Sequence, residues 1–239
     1  MGKMLREYRF FILLAALAIL LFAAPIFRES IRTEESPVSS VILTLSFVAT
    51  LLSSVFTIGR TSRTNRIAVY LGLLVILFVA AQFVVQSKGV VVLGYLLSAL
   101  FLGYVLLVII RHLFNVDRVS PDTICGSLCA YVMLALLWAL VMASIEILRP
   151  GSFLAGGHSR EFAPWSGEHL GTALYFSFVT LTTLGFGDVV PVSPATKMLV
   201  ALEALVGQLF LTVLVARLVG LQIAHASSQP PSEPPSESR

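Results

Sequence analysis

The sequence predicts an all-α integral membrane protein. Six transmembrane helices are expected, with a short re-entrant helix and an extended loop between the fifth and the sixth. Three observations carry that expectation. First, 57% of the 239 residues are hydrophobic, only 12% are charged and mean hydropathy is +0.92, far outside the soluble range. Second, the charges divide the chain into uncharged runs at 10–27, 36–59, 67–87, 89–110 and 123–145, with a sixth at 198–216 broken only by Glu203. Each is close to the roughly 20 residues of helix that cross a hydrocarbon core. Third, one further apolar run, 169–187, ends in "TLTTLGFGD", whose alternate glycines Gly185 and Gly187 would weaken a helix.

Taken in order, helices are predicted at 9–27, 38–59, 66–87, 89–111 and 122–147, followed by an extracellular segment at 148–167. A short helix at 168–182 leads into the odd stretch, and a last helix covers 194–224. The first run resembles a secretory leader, but it is longer than the usual apolar centre. "LFAAPIF" is also a poor cleavage site, so a retained anchor is expected. The tail from Ser227, "SSQPPSEPPSESR", holds no apolar residue and predicts disorder. The organisation is thus a four-helix scaffold over 1–121, a second domain over 122–226 and a tail over 227–239.

The net charge of +3 is a topology signal and not a nucleic-acid footprint. Lys3, Arg6 and Arg9 precede the first span. Arg60, Arg63 and Arg66 lie between the second and third, and Arg111 and Arg118 between the fourth and fifth. Alternation with loops poorer in Lys and Arg puts both termini in the cytoplasm. Cys125 and Cys129, four apart on one helix face, predict packed free thiols, since a metal site needs further ligands nearby.

If 169–187 crossed as a helix, the last helix would run the wrong way and leave Arg217 outside. A re-entrant path avoids this, with Ser166 as N-cap and Glu168 in the first turn of the short helix. Non-helical backbone at membrane depth is tolerated where it lines water. Directing successive carbonyls of an extended strand to one side requires backbone torsions of alternating hand, which glycine adopts without a Cβ penalty. Such a strand would present the carbonyls of Thr183, Leu184, Gly185 and Phe186, with the Thr183 hydroxyl below, to replace the hydration shell of a monovalent cation. Leu184 and Phe186 side chains would point away and pack. Several chains must contribute, because one strand cannot surround an ion. Asp188 at the outer mouth would concentrate cations.

These residues resemble the tetrameric pore-loop potassium channels. Their pattern T-x-x-T-x-G-(Y/F)-G-D is met by Thr180, Thr183, Gly185, Phe186, Gly187 and Asp188, with Pro191 following. Aromatics twelve and thirteen residues before the aspartate, Phe176 and Tyr175, match the cuff around the filter. Gly207, nineteen residues after it, matches the inner-helix hinge. The resemblance covers about 165–223. It implies a homotetramer in the plasma membrane, in bacteria the inner membrane, among lipids, with no nucleic-acid or small-molecule partner. K+ is the permeant ion, bound at Thr183, Leu184, Gly185 and Phe186 and bounded by Gly187, and no cofactor is implied. Phe186 stands where tyrosine is commoner and Leu184 where valine or isoleucine is, which bears on selectivity and on the bracing of the filter.

The peripheral helices do not read as a voltage sensor. A sensor carries Arg or Lys every third residue within the membrane, and 89–110 has no charge. Arg60, Arg63 and Arg66 have that spacing but sit in the polar "GRTSRTNR", which reads as a solvated or headgroup-contacting loop. Glu203, the one charge inside the last helix, reads either as a carboxylate tuning the cavity or filter, or as a partner for pore-helix hydroxyls such as Thr182. Gln208 is a candidate cavity lining, and Gly207 reads as a hinge or as a close-packing residue. Leu211, Val215 and Val219 continue one helix face and suit an apolar gate or an ordinary apolar surface. His158 and His169 read as surface histidines. Enzyme chemistry is not expected, because no catalytic constellation or phosphate-binding loop is evident. The alternatives to a potassium-selective channel are a less selective monovalent cation channel and a non-conducting membrane subunit.

Overall fold

A computed structural model describes residues 9–30, 47–50, 52–54, 62–85, 87–116, 119–155 and 168–227. Among these the chain is mostly helical: α1 is Arg9–Ser30, α2 Ser62–Val84, α3 Lys88–Phe114, α4 Pro121–Leu148, α5 Glu168–Leu181 and α6 Pro194–Ser227. Two short strands, β1 (Phe153–Ala155) and β2 (Val189–Pro191), complete it. Of the predicted second span, only 47–50 and 52–54 lie among the described residues, and they are helical. Ser166, His158 and the tail from 228 fall outside the described residues. The α3, α4 and α6 helices are each long and apolar enough to cross a membrane.

Local sequence explains the helix limits. Ser120 caps α4 in a reciprocal box with Thr123, with Pro121 at the first helical position and Asp122 in the positively polarised first turn. The α6 helix begins on Ser193, whose Oγ accepts the Thr196 amide at 3.1 Å, again with a proline at its start.

The α4 helix is the hub, packing against α1, α3, α5 and α6, while α2 leans on α3. The core runs through Phe10, Leu13 and Leu17 of α1, Phe101, Leu102 and Val105 of α3, and Cys129, Met133 and Leu136 of α4, all buried. Cys125 and Cys129 are free and buried within it, and the Cys129 thiol donates to the Phe10 carbonyl at 3.4 Å. In contrast, only 17% of the apolar window of α6 is buried by its own chain, against 61% for α4. Most of α6 therefore faces something other than this protomer's core.

Strand β1 follows the end of α4, and β2 precedes the start of α6. They pair antiparallel, Phe153 opposite Pro191 and Ala155 opposite Val189. The chain between them thus begins and ends at one end of the bundle, and α5 with the loop behind it fills the interval.

Candidate functional site

The loop after α5 hangs from that helix's C-terminal turn. Helices leave their last four carbonyls without intrahelical partners. Here the Thr182 amide bonds to the Phe178 carbonyl at 2.9 Å and the Thr183 amide to that of Thr180 at 3.0 Å. The Leu184 and Gly185 amides share the Val179 carbonyl at 3.0 and 3.4 Å. Thr183 Oγ1 donates to the Thr182 carbonyl at 2.7 Å, and Thr182 Oγ1 to that of Phe178 at 2.5 Å.

Beyond this anchor the backbone alternates in hand. Gly185 has φ +57° and Gly187 φ +76°, and Thr183 joins them at φ +59°. The left-handed state is cost-free for the two glycines, but Thr183 is a β-branched residue in a region such residues avoid. The need for glycine at alternate positions was legible in the sequence; the extension of the alternation to Thr183 was not, because threonine signals the opposite preference.

Leu184 and Phe186 are 60% and 63% exposed within the single chain. Phe186 finds one partner in the same chain, the parallel ring of Tyr175 at 6.5 Å between centroids. The Tyr175 hydroxyl continues to Asp188, donating to Oδ2 at 2.8 Å. Phe176 points the other way and is buried, edge-on to Phe153 of β1 at 5.4 Å. Tyr175 and Phe176 therefore act on opposite sides of α5, one toward the loop and one toward the outer strand pair.

That strand pair is held by a residue the sequence reading passed over. Glu146, in the last turn of α4, is 5% exposed and accepts the amides of Gly151 at 2.8 Å and Phe153 at 3.1 Å. The Val192 amide in turn bonds to the Ser152 carbonyl at 2.9 Å. Glu146 closes the uncharged run 123–145, a signal that read only as the end of a span.

Gly207 of α6 lies against Leu181, the last residue of α5. A Cβ there would come within 2.4 Å of Leu181 Cδ2, 3.2 Å of its carbonyl oxygen and 3.3 Å of its Cα. This is the close-packing geometry that a small residue permits. The same Leu181 carbonyl accepts the Tyr131 hydroxyl of α4 at 3.0 Å, and the Tyr131 ring stacks on Phe210 at 6.1 Å. Three helices thus meet at the foot of α5, and Tyr131 is a second residue the sequence reading did not single out.

Glu203, one turn before Gly207, is fully buried. Its polar neighbour is Ser177 on α5 and not Thr182, and neither carboxylate oxygen nor the Ser177 hydroxyl completes a hydrogen bond. Gln208 is exposed, and its carbonyl accepts Thr212 Oγ1 at 2.8 Å. Val215 and Val219 are also exposed in the single chain, and Leu211 is partly so. Glu203 and Gln208 therefore occupy opposite environments, so only the latter is available as a lining residue.

Residues 130–221 match the model of a family described as Ion channel (Ion_trans_2). The match takes in most of α4 together with α5, the loop, β2 and most of α6, the elements assembled above. A comparison with curated proteins finds no match. An ion-channel domain built on long apolar helices is the class of protein this region is similar to, and the described helical segments before α4 lie outside the match.

Proposed function

We propose that the chain is one subunit of a homotetrameric, potassium-selective channel that conducts K+ passively across the plasma membrane. The observation that carries this reading is the backbone of 183–187, with left-handed torsions at Thr183, Gly185 and Gly187 alternating with ordinary ones. In this reading 168–181 is the pore helix, Thr183 to Gly187 the filter, Asp188 its outer mouth and α6 the inner helix. The domain division at 1–121 and 122–226 separates scaffold from pore.

The exposure of Leu184, Phe186 and most of α6 supports assembly, since these apolar surfaces are too extensive for a finished monomer beside a water-filled path. Four copies would cover them with one another. The termini would lie in the cytoplasm, as the distribution of Arg and Lys requires. The absence of charge from 89–110 supports conduction without steep voltage dependence.

The test is ion flux from proteoliposomes of the purified protein in opposed potassium and sodium gradients. Flux driven by potassium alone and lost in Gly185→Ala is the expected result. Equal sodium and potassium flux would favour the less selective channel, which the missing hydroxyl at Phe186 makes the natural second reading. The absence of flux under every condition would favour the non-conducting subunit.

A further inference from the structure

The end of the bundle away from the filter carries an arrangement that conduction itself does not require. Arg217 lies 23 residues beyond Pro194, roughly 35 Å along α6. Its guanidinium reaches the end of α3, where Nε donates to the Leu113 carbonyl at 3.2 Å and Nη2 to the carbonyls of Phe114 and, at 3.3 Å, Val116. Its cation also sits 4.8 Å from the Phe114 ring centroid. Helix ends present free carbonyls and a partial negative charge, so an arginine fork is well matched to this position. The inner helix is thereby fastened to the last turn of a peripheral helix.

That same turn carries His112. Its Nε2 lies 2.7 Å from Arg9 Nη2 of α1, and its ring lies 5.8 Å from that of Phe10. A guanidinium has only donors, so Nε2 must be the acceptor and the imidazole must be neutral for this bond to exist. Arg9 in turn lies 4.0 Å from Asp122 Oδ2 at the start of α4. Among the described residues, the charged residues at this end are Arg9 on α1, Arg63 and Arg66 in the first turns of α2, Arg111 on α3 itself, Asp122 on α4 and Arg217 on α6. Asp117 and Arg118 lie outside the described residues.

We propose that the C-terminal turn of α3 is a proton-responsive joint, in which protonation of His112 breaks its bond to Arg9 and is passed through the Arg217 anchor to the inner helix. Protonated, both imidazole nitrogens are donors and two cations would face each other at 2.7 Å, so the pair must separate. Asp122 holds Arg9 on the α4 side, which leaves the α3 turn as the partner free to shift. The His112 carbonyl accepts the Asn115 amide at 3.1 Å, and the next two carbonyls are those Arg217 holds. A displacement of the turn therefore reaches α6 directly. The functional consequence rests on the channel reading; the joint itself does not.

The experiment varies pH on the side opposite the filter from about 8 to about 5, the interval in which histidine ordinarily titrates, with the filter side held constant. Potassium flux of the wild type is expected to change by about fivefold or more, the scale of an ordinary coupling between sites. The change should be lost in His112→Gln, which keeps an acceptor for Arg9 but cannot take up a proton, and blunted in Arg217→Gln. In parallel, amide exchange over 211–223 in nanodiscs, corrected for the intrinsic pH dependence of exchange, should change with pH in the wild type and not in His112→Gln. Flux that responds equally in wild type and His112→Gln, or exchange over 211–223 indifferent to His112, overturns the joint. If no flux is seen at any pH while exchange still depends on His112, the joint stands and the conduction reading falls.

Discussion

The Tyr175 hydroxyl donates to Asp188 Oδ2 at 2.8 Å, while its ring lies parallel to that of Phe186, the residue two before the aspartate. One side chain on α5 thus touches the loop at two successive outward-facing positions. Where Phe186 offers no hydroxyl of its own, Tyr175 supplies one from the helix and spends it on the aspartate.

The first prediction follows from that division of labour. Tyr175→Phe keeps the ring and removes only the bond to Asp188. Potassium flux is expected to start at a similar level and run down faster than in the wild type. In the double variant with Asp188→Ala, run-down should be no faster than in Asp188→Ala alone, because both changes remove the same interaction. A time course of flux for the four proteins checks this, and additive run-down would mean the two residues act separately.

Glu146 is the clearest case of a buried charge with an assigned task. It satisfies two backbone amides of the turn that leads into β1, and β1 holds β2 directly after Asp188. Replacing it with alanine leaves both amides unpaired near a buried position. The expected loss is about 3 kcal/mol, given that hydrogen bonds to charged groups contribute roughly 1.5–3 kcal/mol each and are not additive. Glu146→Gln retains one acceptor oxygen and should lose about half as much. Thermal unfolding in detergent measures both, and equal losses for the two variants would contradict the account.

How much of this was legible beforehand depends on what kind of signal each residue emits. The three helices that are long and apolar enough to span a membrane, α3, α4 and α6, follow from uncharged runs that the chain displays openly. The glycines at 185 and 187 announced a left-handed backbone because glycine is nearly the sole residue that adopts it freely. Thr183 did not, because the local bonds at the end of α5, its own amide to the Thr180 carbonyl and the next two amides to that of Val179, override its preference. Glu146, Tyr131 and Arg217 were illegible for another reason. Tyr131 and Arg217 bond to carbonyls distant in sequence, Arg217 across about a hundred residues, and Glu146 to amides of the turn just after its helix. A backbone carbonyl or amide leaves no mark in the sequence of the residue that carries it. Glu203 was visible as an oddity, but its neighbour on α5 was not, since Ser177 and Thr182 are both hydroxyls within reach by spacing alone.

Thr183 offers a prediction in which stability and function part. Its left-handed conformation costs about 1 kcal/mol relative to glycine. Thr183→Gly should remove that strain, although the unfolded chain gains freedom that offsets part of it. Thermal stability is therefore expected to hold or rise slightly. Potassium selectivity should nonetheless fall, because the hydroxyl at the base of the proposed filter is gone. Parallel unfolding and flux measurements separate the two, and a variant that loses stability would show that Thr183 is not strained.

Gly207 tests whether the inner helix pivots or packs at this point. A methyl group here meets the Leu181 side chain at 2.4 Å and its backbone within 3.3 Å, and Leu181 is fully buried. Overpacking of this kind typically costs about 1–3 kcal/mol. Gly207→Ala is expected to destabilise the protein within that range. Shortening Leu181 to alanine in the same molecule should recover part of the loss, because the side-chain clash is relieved while the approach to the Leu181 backbone remains. If instead Gly207→Ala leaves unfolding unchanged and alters only flux, bending at Gly207 and not its packing is what the residue provides. The contact with Leu181 argues for the former, since a residue pressed against the foot of a neighbouring helix has little room to pivot.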